Sequence, residues 1–192
     1  MRIIENFLSD KEYQDLTELV TSNVFDWYYI PYTSYSELHG GSNVTESNQF
    51  IHTFFSHKQA FKFIESMNPF KDKLIHHGII PTNLLRIKAN MLMKDPLYPI
   101  NHFHPPHSDI NDKGKFCTLL YYLNDSDGDT YMFNQTYNNM PDFKDRTDEL
   151  VITKRITPKA NTAVVFDSTT IHTSSSPRET DRRMVINFLF EI

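Results

Sequence analysis

From position 83 to its end the chain repeats one pattern: short runs of β-branched and aromatic residues cut by turn-forming clusters. The runs are LLRIKANMLM (84–93), KFCTLLYYLN (115–124), DTYMFNQ (129–135), LVITKRI (150–156), NTAVVFD (161–167) and RRMVINFLFEI (182–192). Asn124-Asp125-Ser126-Asp127-Gly128 and Thr157-Pro158-Lys159 are two of the clusters between them. Asn, Asp, Gly and Pro favour turns through their backbone preferences, while Val, Ile, Tyr and Phe pack well on a pleated surface. Strands this short and this regularly spaced must bury their apolar faces against one another, as a sandwich or barrel.

The first 82 residues read differently. Ser9 and Glu12 have the spacing of a capping box ahead of Tyr13, Leu16, Leu19 and Val20, which recur at helical intervals. Ser56 and Gln59 repeat that spacing before Phe61, Ile64 and Met67, and Pro69 interrupts or restarts the helix. The pair His76-His77 suits the end of a helix, where a cation meets the negative end of the dipole. Between the helices, Pro31 to Asn48 is polar and turn-rich around Gly40-Gly41, and a loop of this length in a compact domain often serves as a lid. The expected fold class is therefore α+β: N-terminal helices packed on one sheet of a double-stranded β-helix, the cupin-like jelly roll. At 192 residues the chain has length for one domain, with residues 1–82 as its helical, lid-bearing part and 83–192 as its β core.

Composition narrows the function classes. The net charge of −5 arises from interspersed signs, so nucleic acid is not an expected partner, although a local basic groove stays open. Cys117 is the one cysteine, which rules out an internal disulfide. No apolar run approaches the roughly 20 residues that span a bilayer. The N-terminus MRIIENFLSDKEYQDL is amphipathic and carries acid early, unlike a secretory leader. A soluble, cytoplasmic protein is the expectation, and nothing in the sequence bears on oligomeric state.

His107-Ser108-Asp109 places two metal-ligating groups two residues apart, on the same side of an extended segment. With 9 His and 24 acidic residues in the chain, one such pair is expected by chance, so the spacing alone decides nothing. A third ligand from a distant strand would complete a two-His, one-carboxylate facial triad, which suits Fe(II) because it leaves three positions open. His172 is the candidate: it follows the buried-strand pattern Ala163-Val164-Val165-Phe166 and a short turn, which puts it at the mouth of a barrel. Eleven residues later Arg183 opens the apolar strand 184–190. A charge heading into a core needs a partner, and a dicarboxylate bound bidentately would supply one. Asn187, four residues on, shares the face of Arg183. Arg182 points to the opposite face and competes for the same role. His102 and His104 crowd the metal motif in NHFHPPHSD, as neighbours that orient ligands or as plain structural groups.

Taken together, His107-x-Asp109, the run CTLLYYLN, the turn Gly128-Asp129-Thr130, the strand NTAVVFD, His172 and Arg183 resemble the 2-oxoglutarate/Fe(II)-dependent oxygenase superfamily, specifically its prolyl 4-hydroxylase-like branch. The likeness covers roughly Arg86 to Phe190, and the lead-in IIENFLSDKEY resembles that of short bacterial and phage oxygenases, for which the location would be the host cytoplasm. The resemblance implies that His107, Asp109 and His172 bind iron, and that Arg183 and Tyr122 hold the distal carboxylate of 2-oxoglutarate, with Asn187 beside them. Tyr121 would face the other way. Gly-Gly often follows the YYLN strand in the family, whereas this chain has Gly128-Asp129.

The implied cofactors are Fe(II), 2-oxoglutarate and O2, with ascorbate as a stimulant. The implied reaction hydroxylates a C–H bond while 2-oxoglutarate is decarboxylated to succinate and CO2. Peptidyl proline is the substrate that the branch suggests. Two alternatives stand beside it: a free amino acid, nucleobase or other small metabolite, and a non-catalytic cupin-like metal-binding module.

Overall fold

A computed structural model describes residues 1–33, 42–112 and 114–192. In chain order its elements are β1 (Arg2–Glu5), α1 (Asp10–Thr21), β2 (Tyr28–Ile30), β3 (Gln49–Ser56), β4 (Gln59–Ala60), a 3-10 turn (Ile64–Met67), α2 (Asn68–His76), β5 (Asn83–Met93), β6 (Phe116–Tyr122), β7 (Thr130–Thr136), two 3-10 turns (Phe143–Asp145 and Thr147–Glu149), β8 (Ile152–Ile156), β9 (Thr162–Asp167), β10 (Thr170–Ser174) and β11 (Arg182–Glu191). All strand pairs are antiparallel. The major sheet has the order β1-β9-β6-β11-β5-β3-β2, with β4 hairpinned onto β3, and the minor sheet has the order β10-β7-β8. This is the jelly-roll, double-stranded β-helix arrangement that the strand spacing implied.

Each strand of the major sheet carries two different faces because its side chains alternate. One face, with Ile87, Ala89, Leu119, Tyr121, Ile186 and Phe188, packs against Leu16 and Val20 of α1 and Phe70 and Leu74 of α2. The other face, with Leu120, Tyr122, Val164, Phe166 and Val185, meets Met132 and Ile156 of the minor sheet. The register Val185↔Tyr122 and Asn187↔Leu120 aligns the interior faces of β11 and β6. Interior positions of β5 and β11 that are polar (Arg86, Lys88, Asn90, Arg183, Asn187) sit where the sandwich opens, and they line its pockets.

The helix reading holds at α1: Ser9 Oγ accepts from the Glu12 amide, and the Glu12 carboxylate accepts from the Ser9 amide at 2.8 Å. It fails at Ser56, which ends β3 instead of capping a helix. His57 and Lys58 adopt positive φ (52° and 62°) and turn the chain back into β4, so the apparent capping pair spans a tight hairpin. Helical structure begins only at Ile64 and continues into α2, with Pro69 inside its first turn, where a missing amide costs nothing. His76 ends α2 and His77 caps it, as their position suggested. The first 82 residues are also less helical than expected, since β1, β2 and β3 all belong to the major sheet. Of the expected lid, residues 34–41 lie outside the described residues. No described helix is long and apolar enough to cross a membrane.

Candidate active site

The segment before β6 runs along the open end of the sandwich and is stitched to β10 by reciprocal backbone bonds: the His107 amide donates to His172 carbonyl and the His172 amide to His107 carbonyl, both at 2.9 Å. Two residues on, the Asp109 amide donates to Ser168 carbonyl at 3.0 Å. These bonds bring a loop residue and a minor-sheet strand into register, and the imidazole rings of His107 and His172 lie 4.5 Å apart between centroids. One ligand-capable atom from each of His107, Asp109 and His172 lies within 4.8 Å of the others.

Each of the three is prepared by its neighbours. His172 Nδ1–H donates to the Thr170 carbonyl at 2.9 Å, which leaves Nε2 facing Asp109 Oδ2 at 3.7 Å. Burial pushes the His107 imidazole down to about 3, and the nearby His172 adds to the effect, so His107 is neutral and has a free lone pair at ordinary pH. Its Nδ1 is buried without a protein partner. Asp109 is buried, which works against ionisation. Arg86, His172, His107 and the Thr118 hydroxyl outweigh that and hold the carboxyl well below its usual range. Its contacts are close: Arg86 Nη2 donates to Oδ1 at 2.7 Å, Thr118 Oγ1 to Oδ2 at 2.7 Å, and Asn187 Nδ2 lies 3.2 Å from Oδ2. Two imidazoles and an ionised carboxylate on one face form a donor set that fits a divalent iron ion.

A pocket beside these residues ends at Arg183, which is only 4% exposed. Arg183 Nε donates to the Gly128 carbonyl at 2.8 Å and Nη2 to Thr130 Oγ1 at 2.8 Å. No carboxylate lies within 4.0 Å of the guanidinium among the described residues, although Asp129 is near enough to act on it electrostatically. Asp129 is instead ion-paired with Arg155. Tyr122, on the same interior face, donates to Thr130 Oγ1 at 2.8 Å, and its ring lies 5.8 Å from the guanidinium carbon. Tyr121 faces the helices and donates to Asn161 Oδ1. Gly128 is needed here because a Cβ would lie 2.7 Å from the Ser175 carbonyl.

The structure thus groups His107, Asp109 and His172, and one pocket is lined by both imidazoles and by Arg183, with Tyr122 beside that arginine. Asn187 lies on the face of Arg183, as its spacing implied, but its amide engages Asp109 and Arg86. Arg182 is exposed and away from the pocket. His104 is buried and bonded within the fold: Nδ1 donates to the Thr45 carbonyl at 3.1 Å, and Nε2 lies 3.3 Å from Ser176 Oγ. His102 Nδ1 lies 2.8 Å from Thr45 Oγ1. Neither belongs to the metal-capable group. Sequence reasoning missed Arg86, Thr118 and Thr130. The argument applied to Arg183, a cation inside an apolar run, would have found Arg86 in LLRIKANMLM.

Residues 97–191 match the family model of the 2OG-Fe(II) oxygenase superfamily, a span that holds all of the metal-capable group and Arg183. No curated protein sequence matches the chain. Among solved structures, a 2OG-Fe(II) oxygenase family oxidoreductase from Burkholderia pseudomallei is similar at TM-score 0.65 and 10% identity, over 98% of this chain and 84% of that one. The non-heme alpha-ketoglutarate-dependent epimerase SnoN of nogalamycin biosynthesis is similar at TM-score 0.62 and 11% identity, over 98% and 77%. A Pseudomonas putida prolyl-4-hydroxylase is similar at TM-score 0.53 and 15% identity, over 100% and 92%.

Proposed function

The chain belongs to the 2OG-Fe(II) oxygenase superfamily, and we propose that His107, Asp109 and His172 hold its iron while Arg183 holds the distal carboxylate of 2-oxoglutarate. The observation that carries this reading is one pocket lined both by His107 and His172, which group with Asp109, and by a buried arginine that has no carboxylate partner among the described residues. When bound, iron and 2-oxoglutarate supply the oxidant: one oxygen atom of O2 enters a substrate C–H bond, and the other leaves in succinate as CO2 is released.

The chain's own residues supply geometry and dryness. Arg86, Thr118 and Asn187 fix Asp109 as a carboxylate with Oδ2 facing the His172 imidazole. Thr170 fixes the tautomer of His172. Arg183 carries five donors, of which Gly128 and Thr130 account for two and thereby hold the fork in place for a carboxylate. The Thr130 hydroxyl accepts from both Tyr122 and Arg183, so its own proton is free to reach the same carboxylate. Leu92, Leu120 and Val185 form the apolar wall that keeps water from the charge pair.

Hydroxylation of a peptidyl proline is the first reading of the substrate, supported by the likeness to the prolyl-4-hydroxylase. A small-molecule substrate is the second, supported by the likeness to an epimerase of antibiotic biosynthesis and by the polar lining of the space beside Asp109. To test the metal assignment, His107→Ala, Asp109→Ala and His172→Ala are loaded anaerobically with Fe(II), and iron retention and 2-oxoglutarate consumption are measured. Each variant is expected to lose both. Iron retention and turnover at wild-type level in any one of them would remove that residue from the set.

A further inference from the structure

Beside Asp109 lies a second, open chamber of about 250 Å³. It shares His107, Asn90 and Asn187 with the first pocket, so a molecule there would lie against the same metal-capable group. Its chemistry is unlike that of a site for a neutral ring. Arg86 and Lys88 come from the interior face of β5, Lys144 stands at the rim, and Asn111 adds an amide. Phe143 is the one large apolar residue in the wall among the described residues.

Among the described residues, the charges of this lining do not balance: Asp109 is its only carboxylate, and Arg86 already pairs with it at 2.7 Å. The Lys88 side chain makes no hydrogen bond and no ion pair among the described residues, although it lies on an interior strand face opposite Asn187 in the register. A half-buried ammonium beside a guanidinium is a costly arrangement to leave unpaired. Burial and Arg86 push the Lys88 amine down to about 8, and a carboxylate bound beside it would favour its charged form. Iron bound to the cluster would add further positive charge at the same wall, and the two carboxylates of 2-oxoglutarate would be taken up at the metal and at Arg183. Among the described residues, Lys88 inside the chamber and Lys144 at its mouth are therefore left without a balancing charge.

We propose that the primary substrate is a small molecule bearing a carboxylate, held in this chamber by Lys88 with Lys144 at the mouth, so that a C–H bond near the acid group is presented to the metal site. The neighbouring Asn90 and Asn111 amides have the donors and acceptors to orient the rest of such a molecule. This inference rests on the proposed function, and it narrows that reading away from a neutral prolyl peptide.

The test uses the full chain with Fe(II), ascorbate and saturating 2-oxoglutarate, with succinate formation as the readout. The probes are the free amino acids and a set of small mono- and dicarboxylic acids, each paired with its primary amide, together with an uncharged, end-blocked prolyl peptide. At least one acid is expected to stimulate succinate formation about tenfold more than its amide, the scale of one charge-assisted hydrogen bond. Lys88→Met is expected to shrink that preference to about threefold or less and Lys88→Arg to keep it. Calorimetric binding of the same acid to the Fe(II)-loaded protein without O2 should weaken in Lys88→Met by a similar factor. Equal stimulation by acid and amide, stimulation by the prolyl peptide alone, or stimulation by no acid overturns the proposal. Absence of any 2-oxoglutarate consumption, with or without probes, is a different outcome and strikes the proposed function itself.

Discussion

At the scale of single residues, a buried charge is informative because something must balance it. Arg183 was legible in the sequence for that reason, and in the fold it stands 4% exposed with its fork pinned by Gly128 and Thr130. Arg182, one position earlier, faces out and is exposed, because neighbours on a strand alternate. The two therefore differ in what a truncation does. Arg183→Ala is expected to raise the apparent Kd for 2-oxoglutarate at least about tenfold, while Arg182→Ala leaves it within about twofold. Calorimetric titration of 2-oxoglutarate into the Fe(II) protein measures both, and the reverse ordering would transfer the role to Arg182. Other site residues were hidden from sequence because their partners are remote. Thr118 is an ordinary strand threonine until Asp109 is folded 2.7 Å from its hydroxyl, and Asn187 reads as a 2-oxoglutarate donor until the same carboxylate claims its amide.

Among the elements, six strands of the second half were visible as apolar runs between turns, four of them because the major sheet is covered on both faces, while β8 was visible from its β-branched residues although four of its five residues are exposed. Those of the first half were not. β3 (QFIHTFFS) contains His52, a polar letter in a buried place, satisfied by the Asp26 and Lys62 carbonyls at 2.8 and 3.1 Å. Its hairpin uses His57 and Lys58 at positive φ with no Gly or Asn to announce the turn. β1 is four residues long and borrows its stability from β9. Asn161 makes that borrowing specific: its side chain accepts from the Leu8 amide and donates to the Leu8 carbonyl, both at 2.9 Å, and accepts from Tyr121. It also sits at φ 55°, a conformation asparagine tolerates better than most residues. Asn161→Ala would strand a buried amide, a carbonyl and a phenol. It is expected to lower unfolding stability by about 3 kcal/mol, read as a fall in the urea midpoint at unchanged slope. A midpoint within error of wild type would show that the junction between β1 and α1 does not depend on it.

Over the whole molecule, the site end of the sandwich carries a pH dependence of stability that its histidines set. Burial pushes both His104 and His107 down to about 3, so each is neutral in the fold, whereas in the unfolded chain each titrates near 6.5. Below that value the unfolded state binds more protons than the native state, and stability therefore falls as pH drops from about 6.5 towards 3. Asp109 and Asp127 have carboxyls held below their ordinary range, and what they contribute is present above about pH 4 and lost only below it. The interval from pH 6.5 to 4.5 thus isolates the histidines. In metal-free protein, with chelator present, stability is expected to fall there by up to about 1.4 kcal/mol per pH unit for each buried histidine. His104→Gln keeps a neutral side chain able to face Thr45 and Ser176, and it should flatten the slope even if its stability at pH 7 is lower; His107 and His77, both also lowered, keep part of it. Urea midpoints at pH 7, 5.5 and 4.5 decide the matter: an unchanged slope in the variant would mean that His104 takes up its proton within the fold. Since His104 donates to Thr45 and sits beside Ser176, its protonation would loosen the segment that carries His107 and Asp109. Loss of iron affinity on acidification should then set in with the fall in stability.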